Sequence, residues 1–308
     1  MRRWLNRLVE VFVLMTPLDL VRLTPLMKLT SGIADVSIGL VDGPVVMNHP
    51  ALASQHVREI SENGNSACTQ INSVACMHGT FIAGILSARR GSSAPAICPG
   101  CTVLMRPIFA EAITGHAQLP SATPEELAAA VIECIVAGAR CINLSLALAH
   151  PSSKGERELQ QVLDYAAKRG VIIVAAAGNQ GTLGSSAITR HSWVIPVVAC
   201  DLRGRPMNES NLGSSIGRWG LSAPGDRITS LGSDGQSSTF GGTSVAVPFV
   251  TGAIALLWSE FPSASAAQIK LAVTQTAIRQ RASIVPTLLD AAAAHQALLT
   301  AKTRRRTA

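Results

Sequence analysis

Short continuous apolar runs recur along much of the chain. A run that lacks polar alternation is typical of a strand buried on both faces, as in a parallel sheet. Runs of this kind predict five buried strands, at residues 36–41, 102–108, 141–146, 171–177 and 193–200. A shorter run at 227–231 predicts one more strand, just before a Gly-rich loop.

Helical patterns lie between and after these runs. Thr123, Pro124 and Glu126 form a capping box with a proline at the first helical position, so a helix is predicted from there to about residue 137. An amphipathic helix is predicted over residues 156–169, closed by Gly170. Three more helices are predicted: one that opens at His78, one from Ser244 to Ser259, and one after residues 263–265.

The alternation of strand and helix from residue 36 to 177 predicts an α/β fold, a three-layer α/β/α sandwich with a parallel β-sheet and helices on both faces. No internal repeat or linker interrupts it. The sequence therefore predicts one domain at residues 31–290. It is preceded by an amphipathic extension at 1–30 and followed by an Ala-rich helix end and basic tail at 291–308.

Composition excludes several classes of protein. Hydrophobic residues make up 47% and charged residues 15%, so the chain is globular rather than disordered. The net charge of +7 is concentrated at both ends, and no internal basic run is interleaved with aromatics. This pattern does not favour nucleic-acid binding, and it predicts that the basic ends aid solubility or contact an acidic partner or surface. No apolar run predicts an integral membrane segment.

The N-terminal residues indicate the expected cellular location of the protein. Its basic start is followed by a short apolar run, but Glu10 interrupts the pattern and no small-residue cleavage site follows. No export signal is therefore predicted, and we expect a cytoplasmic protein.

Seven cysteines are present, and an odd number argues against a full disulfide framework. Three of them fall in apolar patterns and are predicted to be buried thiols: Cys134, Cys141 and Cys200. Four others leave zinc binding, one or two local disulfides, or free thiols as alternatives: Cys68, Cys76, Cys98 and Cys101.

Candidate chemistry centres on Ser244, which follows a Gly-Gly turn and opens an apolar helix. A helix N-terminus offers free N–H groups that would stabilise an oxyanion, although a serine here is more often only an N-cap. A nucleophilic serine needs a base and an orienting acid. His78 is the best base, and Asp42 at the end of a buried strand is the best acid. In a parallel sheet with Asp42 and Asn179 at strand ends, all four residues are predicted to lie on one rim.

Five segments in this order resemble those of the subtilisin-like (S8) serine peptidases: residues 38–43, 78–84, 143–146, 175–179 and 242–248. The resemblance implies a subtilase fold with Asp42, His78 and Ser244 as the catalytic residues. It also implies an oxyanion hole made by the Asn179 side chain and the Ser244 N–H. Substrate-binding residues implied by the match are Ser145, Leu146, Ala147, Ala176, Ala177 and Gly178. No cofactor or metal is expected, since the loop at 89–91 offers two arginines and no carboxylate.

Only about 35 residues precede the first predicted strand, too few for a folded propeptide. This short N-terminal segment and the sequence Asp42-Gly43-Pro44 are similar to those of the subtilases of cyanobactin and related peptide-maturation pathways. The resemblance implies removal of leader sequences. The predicted function is cytoplasmic cleavage of a precursor peptide, with maturation-complex partners. Two alternatives remain: a catalytically weak scaffold with the subtilase fold, and a redox- or metal-regulated protein centred on Cys98 and Cys101.

Overall fold

A computed structural model describes residues 15–52, 56–60, 68–109, 111, 122–146, 155–275 and 283–307. Of the predicted N-terminal extension, residues 1–14 lie outside this described part. The central feature is an eight-stranded sheet in which every neighbouring pair is parallel. Its strands, in spatial order, are β10 (Thr287–Leu288), β7 (Leu221–Pro224), β6 (Val194–Cys200), β5 (Ile172–Ala176), β4 (Cys141–Leu144), β1 (Ser37–Asp42), β3 (Thr102–Pro107) and β2 (Val57–Glu59).

Helices cover both faces of this sheet. The ones that pack directly on it are α3 (Val74–Ser87), α4 (Pro124–Val136), α5 (Glu156–Arg169), α6 (Ser214–Trp219) and α7 (Thr243–Glu260). Alternate residues of β5 face two different core clusters. Ile172 and Val174 join the cluster that contains α3 and α7, whereas Ile173 and Ala175 join the one that contains α4 and α5. This double burial is the reason the strands read as unbroken apolar runs, and it confirms the predicted three-layer α/β/α fold.

The remaining elements flank this sandwich. They are α1 (Pro17–Leu20), α2 (Leu23–Leu29), α8 (Ala266–Thr274), α9 (Ala291–Thr307) and a separate antiparallel hairpin of β8 (Ile228–Leu231) and β9 (Ser237–Phe240). Three residues near the start of the described chain, Val21, Leu23 and Leu26, belong to the main core cluster. Arg90 stabilises the end of α2, because its guanidinium donates hydrogen bonds to the carbonyls of Met27 and Thr30.

Two predicted elements differ from the structure. Helix α3 begins at Val74 instead of His78, because the Ser73 hydroxyl caps it by accepting the Cys76 N–H at 3.2 Å. His78 therefore lies in the second turn rather than at the start. The predicted strand at 227–231 forms as β8, but it pairs with β9 in the hairpin and not with the main sheet. The short strands β2, β7, β9 and β10 and helix α6 have no counterpart among the predicted elements.

The cysteines resolve into one bonded pair and five thiols. Cys68 and Cys76 form a disulfide with a Cα–Cα distance of 5.6 Å, which selects the local-disulfide alternative for this pair. The other five cysteines are free and buried in this structure. Burial raises the pKa of the Cys134 and Cys200 thiols to about 12, so both stay neutral and unreactive at physiological pH.

Reducing the Cys68–Cys76 bond is expected to lower the free energy of unfolding by about 2–3 kcal/mol, from the loop-closure entropy of so short a ring. The loop it closes, between residues 68 and 76, leads directly into α3. Guanidinium unfolding with and without reductant measures the change, and the Cys68→Ser/Cys76→Ser protein is the control that should not respond to reductant. Equal stability of the oxidised and reduced wild-type protein would contradict the prediction.

Candidate active site

Three predicted residues from three separate elements meet at the carboxyl edge of the sheet. Asp42 ends β1, His78 lies in α3, and Ser244 is the second residue of α7. His78 Nδ1 lies 2.7 Å from Asp42 Oδ1, and its Nε2 lies 3.0 Å from Ser244 Oγ. Asp42 is fully buried, and the His78 side chain is 24% exposed. The imidazole therefore connects a buried carboxylate to a hydroxyl at the solvent edge.

Two glycines allow α3 to approach the end of β1 this closely. A Cβ on Gly43 would lie 2.0 Å from the Ala75 carbonyl oxygen, and a Cβ on Gly79 would lie 2.3 Å from the Gly43 carbonyl oxygen. Any side chain at either position would push the two backbones apart. The glycine that follows Asp42 and the one that follows His78 thus bring the Asp42 carboxylate and the His78 imidazole into contact.

Hydrogen bonding determines which nitrogen of His78 carries the proton. Asp42 Oδ1 accepts the Gly43 N–H at 2.6 Å and faces His78 Nδ1. A carboxylate only accepts, so Nδ1 is the protonated nitrogen and Nε2 is left to accept from Ser244 Oγ. Desolvation by burial opposes the charged imidazole, but the charge and hydrogen bond of Asp42 outweigh it and raise the pKa of His78 above its ordinary value of 6.5.

Asn179 lies beside this group and is held by Thr243. Its Oδ1 accepts the Thr243 N–H at 2.8 Å and the Thr243 hydroxyl at 2.9 Å. With Oδ1 occupied twice, the Nδ2 amide is left to donate elsewhere. The N-cap of α7 is Gly242, whose φ of +118° is a conformation that favours glycine, so neither Thr243 nor Ser244 is the N-cap. Thr243 was not among the predicted site residues, although it directly precedes Ser244.

The loop after β5 carries Asn179 and is organised by Asn211. Asn211 Oδ1 accepts the N–H groups of Gln180 and Thr182, each at 3.0 Å, and Nδ2 donates to the Ala177 carbonyl at 3.2 Å. Asn211 was not predicted, and no local motif in the sequence marks it. Its five hydrogen bonds hold the loop in place from a distant part of the chain.

The predicted substrate-binding residues divide into four groups. Ala176 and Ala177 are buried at the end of β5, and Gly178 donates its N–H to the Thr243 hydroxyl at 3.2 Å. Leu146 packs against the core cluster of α4 and α5. Ala147 lies outside the described residues. For Ser145 the structure gives a different contact: its hydroxyl donates to the Ser244 carbonyl at 2.8 Å, so its side chain is turned inward.

Metal-binding potential in the described part of the chain is confined to Cys68, Cys76 and Glu111, whose ligand atoms lie within 4.8 Å of one another. The two sulfurs are already joined, and Glu111 accepts four hydrogen bonds from Thr69, Gln70 and Ser73. The disulfide and the hydrogen bonds of Glu111 therefore hold the loop before α3 in place, which accounts for the proximity of these three side chains. Helix α7 is long and apolar enough to cross a membrane, but 83% of it is buried inside the protein, as expected of a core helix.

Comparison with known proteins places this geometry in a family. The subtilase family of S8 peptidases matches residues 34–303. Thermitase of Thermoactinomyces vulgaris is 31% identical over 242 residues, which cover 78% of this chain and 80% of thermitase. A thermostable alkaline protease of Halalkalibacterium halodurans is 30% identical over 65% of this chain, and the match spans about half, 52%, of that relative.

Solved structures agree with this assignment. The protease domain of PatA superposes with a TM-score of 0.80 at 26% identity, covering 88% of this chain and 97% of that domain. The prenylagaramide maturation protease PagA has the same fold, with a TM-score of 0.76 at 24% identity over 90% of this chain and 98% of that one. The family match covers most of the chain, including every element that carries the site. The chain therefore belongs to the subtilase family and is a subtilisin-like serine peptidase.

Proposed function

We propose that this protein cleaves peptide bonds with Ser244 as nucleophile, His78 as general base and acid, and Asp42 as the group that orients His78. The observation that carries the proposal is the position of the imidazole, 2.7 Å from Asp42 and 3.0 Å from Ser244. Hydrogen-bond contact of nucleophile to base, and of base to acid, is the arrangement that activates a serine at neutral pH.

The geometry supports a two-stage reaction. His78 Nε2 takes the Ser244 proton as Oγ attacks the substrate carbonyl, and the resulting imidazolium is stabilised by the buried Asp42 carboxylate. His78 then returns that proton to the leaving amine, so that an acyl-enzyme on Ser244 remains. Water, deprotonated by His78, hydrolyses the acyl-enzyme and restores the free hydroxyl.

The negative charge on the substrate oxygen needs donors, and we propose Asn179 Nδ2 and the Ser244 N–H for this role. The Ser244 N–H is in the first turn of α7, and Asn179 contacts that turn through Thr243, so both donors lie where the helix dipole also favours a negative charge. Because Thr243 occupies Asn179 Oδ1, the amide cannot turn its oxygen towards the oxyanion without losing two hydrogen bonds.

Replacing Asn179 by Leu is therefore expected to lower kcat about 100- to 1,000-fold, the loss that removal of one oxyanion-hole donor causes in subtilisin. KM should change little, because the amide acts mainly on the charge that develops in the transition state. Steady-state kinetics on a peptide substrate measures both constants. An unchanged kcat with a raised KM would mean that Asn179 binds the substrate instead.

For the substrate, we propose a ribosomally made precursor peptide whose leader is removed. The similarity to PatA, a patellamide maturation protease, and the likeness of fold to PagA support this proposal. The net charge of +7 would attract an acidic leader by long-range steering. Mass spectrometry of precursor peptides incubated with the protein tests this: cleavage between leader and core supports it, and cleavage confined to unfolded general substrates contradicts it.

We also propose a cytoplasmic location, and the Cys68–Cys76 bond makes this proposal testable. Disulfides rarely persist in the reducing cytoplasm. Alkylation of thiols in intact cells, followed by peptide mapping, reports the state of both cysteines. Two alkylated thiols would support a cytoplasmic protein, and an intact bond would favour an oxidising compartment.

A further inference from the structure

The carbonyl of Ser244 lacks the hydrogen bond that helix geometry normally provides. Ser244 lies in the first turn of α7, where its carbonyl would accept the N–H of the residue four positions on. That residue is Pro248, which lies inside the helix and has no N–H. A proline ring also crowds the carbonyl four residues before it. The carbonyl of Ser244 therefore depends on a donor from outside the helix.

The Ser145 hydroxyl supplies that donor. Ser145 directly follows β4, and its Oγ donates to the Ser244 carbonyl at 2.8 Å. The residue is only 4% exposed, so water has little access to compete for the contact. The bond joins the end of a central strand to the first turn of the helix that carries Ser244.

Two buried side chains fix the direction of this hydroxyl. Asn143 Nδ2 donates to Ser145 Oγ at 2.7 Å, and the Thr251 hydroxyl lies 3.0 Å from Asn143 Oδ1 and 3.3 Å from the Val247 carbonyl. Asn143 and Thr251 are both fully buried. Because the Asn143 amide donates into Ser145 Oγ, the single proton of that hydroxyl points to Ser244. A reversed amide would draw the proton away and leave the Ser244 carbonyl without a donor.

We propose that Ser145, held by Asn143 and Thr251, is a positioning residue for the nucleophile. It holds the first turn of α7 so that Ser244 Oγ stays 3.0 Å from His78 Nε2 and the Ser244 N–H stays aimed at the oxyanion. The inference rests on the proposed role of Ser244. The role is distinct from the substrate contact that family resemblance implies for Ser145, since the side chain faces the helix and not the cleft.

The test compares labelling rates of Ser145→Ala and wild-type protein with a fluorophosphonate probe across pH, per folded molecule. The limiting rate is expected to fall about 10- to 100-fold, the cost of a small displacement of a reacting atom. The pH midpoint should stay at the wild-type value, because the contact between His78 and Asp42 is untouched. Ser222→Ala is the matched control: its hydroxyl is also buried and donates to a carbonyl, that of Pro286 at 3.2 Å. The Ser222→Ala protein should be labelled at the wild-type rate, even if its thermal unfolding midpoint is lower than that of the wild-type protein.

Thr251 provides a second matched pair. Thr251→Val removes the hydroxyl and is expected to slow labelling about 2- to 5-fold, the value of one modest hydrogen bond. Thr251→Ser keeps the hydroxyl and should retain the wild-type rate. Wild-type labelling of Ser145→Ala would overturn the positioning role while leaving the nucleophile assignment intact. Failure of the wild-type protein to label at Ser244 would instead contradict the proposed function.

Discussion

Replacement of Ser244 by Ala is expected to lower peptide hydrolysis about a million-fold, the loss that the same change causes in subtilisin. His78→Ala is expected to have the same effect within an order of magnitude, because the two residues act as one unit. Without His78 the Ser244 hydroxyl loses the base that lies 3.0 Å away, and without Ser244 the imidazole loses the nucleophile that it would activate. The double variant should therefore be no slower than either single one.

Fluorophosphonate labelling followed by mass spectrometry measures the reactivity of Ser244 towards an electrophile, and it requires no known substrate. The wild-type protein should gain one adduct on Ser244, and both variants should gain none. Circular dichroism and thermal unfolding of the variants provide the control, since neither change removes a buried apolar side chain. An adduct that persists in His78→Ala would show that another group activates the serine. A folded wild-type protein without any adduct would favour a binding role for the subtilase fold.

Much of this site could be predicted from the sequence, because parallel strands align their carboxyl ends. Asp42 follows one apolar run and Asn179 another, so both had to lie on the same edge. The start of α7 was predictable for a similar local reason, a Gly-Gly turn that leads into an apolar stretch. The roles of these residues came from the family resemblance, because the hydrophobic pattern indicates where a residue lies and not what chemistry it performs.

The parts that could not be predicted depend on contacts between distant segments. The cap at Ser73 lies in a polar stretch with no apolar periodicity, so the start of α3 was placed too late. The inward turn of Ser145 depends on a helix that begins about a hundred residues later in the chain. A signal for it did exist, since Pro248 stands four residues after Ser244 and must leave that carbonyl unpaired. Which side chain would fill the gap could be known only from the fold.

Replacement of Asp42 by Asn is expected to lower kcat about 10,000-fold, the scale of loss that removal of the corresponding carboxylate causes in subtilisin, while leaving the local geometry nearly intact. Asp42 Oδ1 accepts two hydrogen bonds, from the Gly43 N–H at 2.6 Å and from His78 Nδ1 at 2.7 Å. An amide oxygen at the same place can accept both, and the amide NH₂ would then occupy the position of Oδ2, which is buried and without a partner among the described residues. What the variant loses is the negative charge that stabilises the imidazolium formed during attack.

The pH dependence separates this loss of charge from a loss of structure. In the wild-type protein Asp42 raises the pKa of His78 against the opposing effect of burial, so activity should rise with pH around a midpoint above 6.5. His78 must be neutral to act as base, and activity is lost as pH falls through that midpoint. With the charge removed, burial still opposes the charged imidazole and only the hydrogen bond to the amide oxygen supports it, so the pKa of His78 should fall below its wild-type value. In a plot of kcat against pH, we therefore expect Asp42→Asn to reach a much lower plateau, and we expect the loss of activity on the acid side to occur at lower pH than in the wild-type protein. An unchanged midpoint would mean that Asp42 does not act on His78 through its charge.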